Sequence, residues 1–300
     1  MPDGSYPPLP EALRVGVYDD HTHLDPSSGA GGPLGEGAQL DWREQLDRAS
    51  SVGVRGVVQV GTDVATSRWS AETAATDPRM LAAVALHPNE APALAARGEL
   101  DDALAVIDEL AGRRRVRAVG ETGLDHYRTG EDGRAAQLRS FEAHIEIAKR
   151  HGIALQIHDR DAHGAVLETL LRVGAPERTV FHCFSGDAGL AKLATDHGWY
   201  LSFAGTVTFK NAGALREALE VTPRSRLLVE TDAPYLAPAP VRGRPNAPYL
   251  IPHTLRAMAD ILGADASMLA AQIASNAETV YGSWNDEPPL QAPPPRSADA

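Results

Sequence analysis

The sequence from Val15 to Asp25, VGVYDDHTHLD, decides the fold, because a β-prone segment runs directly into His-Thr-His. Successive side chains alternate between the two faces of a strand, so His21 and His23 point to the same side. Two imidazoles on one side of a strand end can bind one divalent metal. The pair alone is equally consistent with ordinary polar residues at the end of a strand, so the rest of the chain must decide.

Further residues of metal-ligand type recur downstream, each at the end of a short apolar run. They are Glu121, His158, His182 and Asp232. Taken singly, Glu121 and Asp232 could also be carboxylates that cap a helix or turn or lie at the barrel rim. His158 and His182 could be histidines buried in the core. Their repeated position at strand ends favours a metal site. A mixed imidazole and carboxylate set suits Zn²⁺, Mn²⁺, Fe²⁺ or Co²⁺, and Mg²⁺ less well.

Eight short apolar runs alternate with Ala-, Leu- and Glu-rich helical stretches. The runs are 15–18, 54–60, 80–85, 116–120, 153–157, 179–182, 199–203 and 227–230. Between them, Ala135–Arg150 shows helical spacing of its apolar residues. Continuous hydrophobicity in the strands indicates burial on both faces, hence a parallel sheet. Eight such units predict an α/β protein of the (β/α)8 TIM-barrel type. A doubly wound open sheet is the alternative, although no Gly-x-Gly-x-x-Gly turn follows the first strand.

A barrel explains the set of ligand-type residues, because active sites of such barrels lie at the carboxyl ends of the strands. His21 and His23 end strand 1, Glu121 strand 4, His158 strand 5, His182 strand 6 and Asp232 strand 8. Six ligands with one bridging carboxylate serve two metals about 3.5–4 Å apart, which together activate a water. The Pro- and Gly-rich segment 233–252 follows the last strand and is predicted to be a long loop over the barrel mouth.

Composition limits the class of protein. The chain has 300 residues, 43% of them hydrophobic, and a net charge of −12. We expect one metallohydrolase domain over 15–284, between a flexible tail at 1–14 and a Pro-rich flexible tail at 285–300. The single Cys183 and the lack of a leader or a membrane-length apolar run predict a cytoplasmic protein, away from the membrane. The acidic balance argues against a broad nucleic-acid surface, and no obligatory protein partner is evident.

Six ordered motifs over roughly residues 17–284 resemble the TatD family of metal-dependent deoxyribonucleases, within the amidohydrolase-like metallohydrolases. The motifs are DHTH at 20–23, LHP at 86–88, GETGLD at 120–125, HDRDA at 158–162, FHCFSG at 181–186 and ETDAPYL at 230–236. The resemblance implies one metal on His21, His23 and Asp232, a second on His158 and His182, and Glu121 as the bridge. It also implies that a hydroxide activated by two divalent metals (Zn, Mn, Mg, Fe or Co) attacks the substrate, with Asp232 managing its proton.

The resemblance also implies the substrate. Arg160, at the rim of strand 5, resembles the family's contact for a substrate phosphate, and His87 a hydrogen-bond donor to the same group. The predicted function is a TatD-type hydrolase, a 3′–5′ exodeoxyribonuclease or phosphodiesterase acting on DNA or a small phosphodiester. A metallohydrolase acting on an amide, lactone or aminoacyl ester is one alternative, and a non-catalytic scaffold is another. A carboxylated lysine bridge is disfavoured, because none of Lys149, Lys192 and Lys210 ends strand 4 or strand 5.

Some residues depart from the family pattern or invite a structural interpretation. Thr122 and His126 replace aliphatic and aromatic residues near the expected pocket. Cys183 follows a ligand and is expected on the opposite face of its strand as a buried thiol. His144 is expected to be a surface or helix-capping group. Arg113–Arg115, before strand 4, are expected to form a solvated face away from the chemistry.

Overall fold

The computed structural model describes residues 5–27 and 40–285, and within these ranges eight strands alternate with ten α-helices. The strands are β1 Val17–Thr22, β2 Val54–Val60, β3 Met80–Val84, β4 Val116–Asp125, β5 Ala154–Arg160, β6 Thr179–Phe181, β7 Tyr200–Phe203 and β8 Leu227–Val229. The helices are α1 Trp42–Ser51, α2 Val64–Ala74, α3 Ala91–Ala96, α4 Leu100–Ala111, α5 Glu131–His151, α6 His163–Val173, α7 Ala188–Asp196, α8 Gly213–Val221, α9 Ile251–Ile261 and α10 Ala266–Tyr281.

The strands pair in sequence order from β1 to β8, and every pairing is parallel. The gap between β8 and β1 is bridged just beyond β8, where Thr22 pairs with Ala233. There the Asp232 N–H donates to the His21 carbonyl at 2.9 Å, and the His23 N–H donates to the Ala233 carbonyl at 2.7 Å. The predicted α/β TIM barrel is therefore confirmed, and the doubly wound sheet is wrong because the strand order never reverses.

The barrel interior is apolar at its amino-terminal end and polar at its carboxyl-terminal end. Inward-facing residues such as Val58, Leu81 and Val180 form one buried cluster with Tyr281 and Trp284, which close the amino-terminal end. Side-chain layers of this kind fill TIM barrels as a packed core. The carboxyl end is thereby left as the place for chemistry.

Some strands run further than predicted, because polar residues continue the backbone hydrogen bonding between neighbouring strands. The limits of β2 were predicted correctly, but β1 runs on to Thr22, β4 to Asp125 and β5 to Arg160. The functional side chains thus lie within the strands or one to three residues beyond their ends. The loop predicted to reach 252 ends sooner, since α9 begins at Ile251 and its first turn tolerates a proline.

The described part of the predicted amino-terminal tail lies against the barrel. The Tyr249 hydroxyl donates to the Pro7 carbonyl at 2.6 Å, and Arg256 donates to the Glu11 carbonyl at 2.8 Å. Residues 1–4 and nearly all of the predicted tail at 285–300 lie outside the described residues, and the domain limits stay a prediction. Among the described residues, every helix is too short or too polar to cross a bilayer.

Arg115 is buried at the amino-terminal end of the barrel, so the expected solvated face is wrong for this residue. It is 5% exposed, and its guanidinium donates to four backbone carbonyls, those of Ala74, Pro78, Met80 and Trp284. We expect Arg115→Leu to lower the free energy of unfolding by about 3 kcal/mol, because these acceptors lose a charged donor. Urea unfolding measures this. The exposed neighbour gives the matched control, Arg114→Leu, and an equal small effect in both variants would contradict the assignment.

Candidate metal centre

The predicted ligands meet at the carboxyl end of the barrel, around Glu121. Its Oε1 lies 3.3 Å from His23 Nε2 and 3.7 Å from His21 Nε2. Its Oε2 lies 3.0 Å from His182 Nε2 and 3.1 Å from His158 Nδ1. The two carboxylate oxygens therefore face two different pairs of imidazoles, which is the disposition a bridging carboxylate needs.

Asp232 faces the first of these pairs. Its Oδ1 lies 3.5 Å from His23 Nε2 and 3.9 Å from His21 Nε2, and the two imidazole nitrogens are 3.3 Å apart. Asp232 holds a left-handed backbone with φ of 53°, and its N–H is bonded to β1 as described above. One ligand atom from each of His21, His23 and Asp232 fits within a sphere suited to a single ion.

Hydrogen bonds on the far sides of the rings fix which nitrogen faces the centre. His23 Nδ1 donates to the Val60 carbonyl at 3.0 Å, so the lone pair is on Nε2. His182 Nδ1 faces Glu230 Oε1 at 3.3 Å, which leaves its Nε2 lone pair towards Glu121. Glu230 also accepts a hydrogen bond from the Cys183 N–H at 2.8 Å. Acceptors behind ligating histidines orient the rings and increase their basicity.

His158 is held between two carboxylates. Its Nδ1 faces Glu121, and its Nε2 lies 3.4 Å from Asp125 Oδ2. Asp125 Oδ1 is fixed by the backbone N–H groups of Tyr127 and Arg128 at 3.0 and 2.8 Å. Gly123 pairs with His158 across β4 and β5 and has φ of 144°, and a Cβ there would collide with the His158 carbonyl. The glycine in the GETGLD motif thus permits the close approach of these strands.

The electrostatics favour a positive charge among the candidate ligands around Glu121. Burial raises the pKa of Glu121, but the charge of His182 and the hydrogen bonds with His158 and His182 bring it well below its usual range. Burial lowers the pKa of His23, yet its hydrogen bonds with Asp232 and Glu121 raise it to about 10. Buried carboxylates and imidazole lone pairs that converge without a cation are costly, so the residues present fit divalent metal ions.

His87 also faces Glu121, but as a donor. The Asn89 N–H donates to His87 Nδ1 at 3.1 Å, so the ring proton is on Nε2, which lies 3.7 Å from Glu121 Oε2. Although His87, Glu121 and His158 are close enough to form a ligand set, a protonated nitrogen cannot coordinate. His87 therefore presents an N–H group to the centre.

Arg160 is the last residue of β5 and lies at the rim of the mouth. Its guanidinium carbon is 4.0 Å from the centre of the Tyr127 ring, and Tyr127 is 65% exposed. The cation is therefore exposed to solvent and stacks on the Tyr127 ring.

Two predictions about individual residues are wrong. β6 ends at Phe181, so strand alternation does not reach Cys183, which has φ of 41° and is partly exposed at the mouth. His144 is fully buried, accepts a hydrogen bond from the Leu86 N–H at 3.1 Å and lies 3.1 Å from Thr122 Oγ1.

Glu230 and Asp125, the acids behind His182 and His158, were not among the predicted site residues. A signal for Glu230 was its place in the same ETDAPYL motif as Asp232, since β8 ends at Val229 and strand alternation extends to neither residue. Asp125 closes the same motif as Glu121, but only the pairing of β4 with β5 reveals its contact.

The sequence profile described as "TatD related DNase" matches residues 18–282, which include all six candidate ligands. A relative from Mycobacterium tuberculosis, named an uncharacterized metal-dependent hydrolase TatD, is 44% identical over 270 residues, 89% of this chain and 98% of its own length. The chain belongs to the TatD family. This TatD protein is a metal-dependent hydrolase with histidine and acidic groups placed to bind metal.

Two further relatives extend the comparison. A Citrobacter rodentium protein named 3′-5′ ssDNA/RNA exonuclease TatD is 34% identical over 249 residues, 81% of this chain and 92% of its own. The crystal structure of YjjV, a TatD homologue from Escherichia coli K12, superposes with a TM-score of 0.78 at 25% identity, covering 89% of this chain and 98% of that one. The family shown by the sequence relatives and the fold shared with the solved structure therefore agree.

Proposed function

We propose that this TatD protein is a 3′–5′ exonuclease that hydrolyses phosphodiester bonds of single-stranded DNA with two divalent metals. The observation that carries the proposal is the position of Glu121, whose two oxygens face separate pairs of imidazoles. The name of the Citrobacter rodentium relative supports nucleic acid as the substrate. The proposed location of this activity is the cytoplasm, as the single cysteine suggests.

The two proposed metal positions share Glu121. His21, His23 and Asp232 would hold one ion, and His158 and His182 the other. When bound, the ions would supply Lewis-acid charge and a hydroxide at neutral pH. A nitrogen-rich donor set suits Zn²⁺, Mn²⁺, Fe²⁺ or Co²⁺ better than Mg²⁺.

The chain's own groups would orient the phosphodiester. The Asp232 carboxylate lies at the edge of the cluster and would accept the proton of the attacking water. His87 would donate its Nε2–H to a phosphate oxygen, since its tautomer is fixed by the Asn89 N–H. Arg160 would bind the same phosphate with its planar guanidinium, which matches a phosphate in a bidentate manner.

Arg160→Ala tests whether the substrate is a phosphodiester. We expect KM for a single-stranded oligonucleotide to rise about tenfold, with KM for a neutral carboxylic ester nearly unchanged, because only the phosphate loses a charge-assisted contact. Arg139→Ala is the control, since Arg139 is exposed and pairs with Asp101 on the outer surface. Equal effects of Arg160→Ala on both substrates would favour an amide, lactone or aminoacyl ester instead.

A further inference from the structure

A cavity of about 800 Å³ lies beside the metal centre, between α6, α7, the start of α8 and the segment leading into it. Its apolar wall is formed by Leu190, Leu193, Phe209 and Leu215. None of the residues proposed above to bind metal or phosphate is needed to build this wall. The cavity is therefore a separate feature of the mouth that the hydrolytic chemistry leaves unexplained.

Cys183 connects the cavity to the metal centre. It lines the cavity, and it directly follows the candidate ligand His182. Ser185 lines the same side and donates its hydroxyl to the Asp159 carbonyl at the end of β5 at 3.3 Å. A group bound in the cavity would thus lie next to a substrate bond held at the metals.

The lining indicates what kind of group fits. Leu193 is 39% exposed although it is part of an apolar wall. Cavities of about 300–1,000 Å³ with apolar walls and few polar groups bind small organic groups. Thr206 Oγ1 is buried in the wall and meets no hydrogen-bond partner among the described residues. His163 and Asn211 add polar atoms at the wall. Apolar faces with a polar edge are the chemistry of a nucleobase.

A cation lies against one of the wall residues, Phe209. The guanidinium carbon of Arg242 is 4.1 Å from the centre of the Phe209 ring, and Arg242 is exposed. In a chain with net charge −12, an arginine stacked on an aromatic ring of this cavity is a specific complement to an anion. A nucleotide with its base in the cavity would have one phosphate at the metal centre and could present the next to Arg242.

We infer that this cavity binds the base of the nucleotide on the 5′ side of the scissile phosphate. Arg242 then binds the next phosphate towards the 5′ end. The 3′-terminal nucleotide is the less suitable occupant, because it has no further phosphate to offer Arg242. The inference rests on the proposed nuclease function and adds a base-binding subsite to it.

The experiment compares two single-stranded oligothymidylates with the wild-type protein, one intact and one with a base-free tetrahydrofuran unit in the penultimate position. We expect kcat/KM to be between about 5-fold and 100-fold higher for the intact strand, the range for the loss of one stacked base. Leu193→Glu should bring this ratio close to 1 by placing a carboxylate in the apolar wall. The matched control is Leu171→Glu, since Leu171 is 56% exposed on α6 and lies outside the cavity wall, and it should leave the ratio unchanged.

Arg242→Gln provides a second measurement that does not depend on the folding of Leu193→Glu. It should lower kcat/KM for a trinucleotide about fivefold or more. The kcat/KM for a dinucleotide, which lacks the second phosphate, should be unchanged. Three results would each overturn the inference alone. They are a wild-type ratio near 1, a larger effect of a base-free unit at the 3′ terminus than at the penultimate position, and an equal loss of the ratio in Leu171→Glu. Wild-type protein that hydrolyses neither strand would instead overturn the proposed nuclease function, and the inference with it.

Discussion

Glu121→Ala is expected to lower kcat/KM by about 1,000-fold or more, because both metal positions lose their shared ligand. Each oxygen of Glu121 faces its own pair of imidazoles, so its removal leaves neither cluster with the charge that holds an ion. The fold should persist, since the β4 residues that pack in the hydrophobic core, Val116, Val119 and Leu124, are unchanged. Steady-state kinetics, with elemental analysis of metals per chain, measures both effects.

A surface glutamate supplies the comparison for this variant. Glu99 is half exposed and pairs with Arg97, so Glu99→Ala should retain activity and two metals per chain. Circular dichroism should show the same helix content for both variants. Wild-type hydrolysis by Glu121→Ala, or full metal content without the bridge, would end the proposal that Glu121 joins the two positions.

Asp232→Asn is the second substitution with a large expected effect. Asparagine preserves the shape of the side chain but cannot accept a proton and carries no charge, so kcat should fall about 10²- to 10⁴-fold. KM should change much less, because Arg160 and His87 would still bind the phosphate. Saturation kinetics on a single-stranded oligonucleotide, with metals supplied in excess, separates the two quantities.

Asp265→Asn is the matched control for that change. Asp265 caps α10 by accepting from the N–H groups of Ser267 and Met268, and asparagine caps a helix about equally well. Activity should therefore be unaffected. A rise in KM with an unchanged kcat in Asp232→Asn would assign Asp232 to substrate binding and remove it from proton transfer.

The barrel and its carboxyl-end cluster could be predicted because their signals are local. Strands such as Val54–Val60 are apolar throughout, and that pattern alone places them inside a parallel sheet. Residues such as Glu121 and His158 follow these runs directly, so the geometry of a barrel brings them together without knowledge of any contact. The family motifs then narrowed the chemistry from a metal site to a hydrolase.

What could not be predicted depends on partners distant in sequence. Arg115 was expected in solvent because three adjacent arginines suggest exposure, yet carbonyls from Ala74 to Trp284 compensate its burial. His144 is similarly buried because the Leu86 N–H and Ser140 carbonyl satisfy its ring. The early end of β6 reorients Cys183, and hydrogen bonding rather than side-chain pattern decides where a strand stops.

Release of nucleotides from 3′-labelled single-stranded DNA, measured alongside metals per chain, tests the two-metal nuclease proposal most directly. We expect two divalent metals per chain and stepwise release from the 3′ end, abolished by a chelator and restored by adding metal back. Two bound metals without nucleotide release would contradict the nuclease and redirect the search to carbonyl esters and amides. Release that survives complete removal of metal would contradict the metal centre itself, and a chain with neither metal nor activity would be a scaffold.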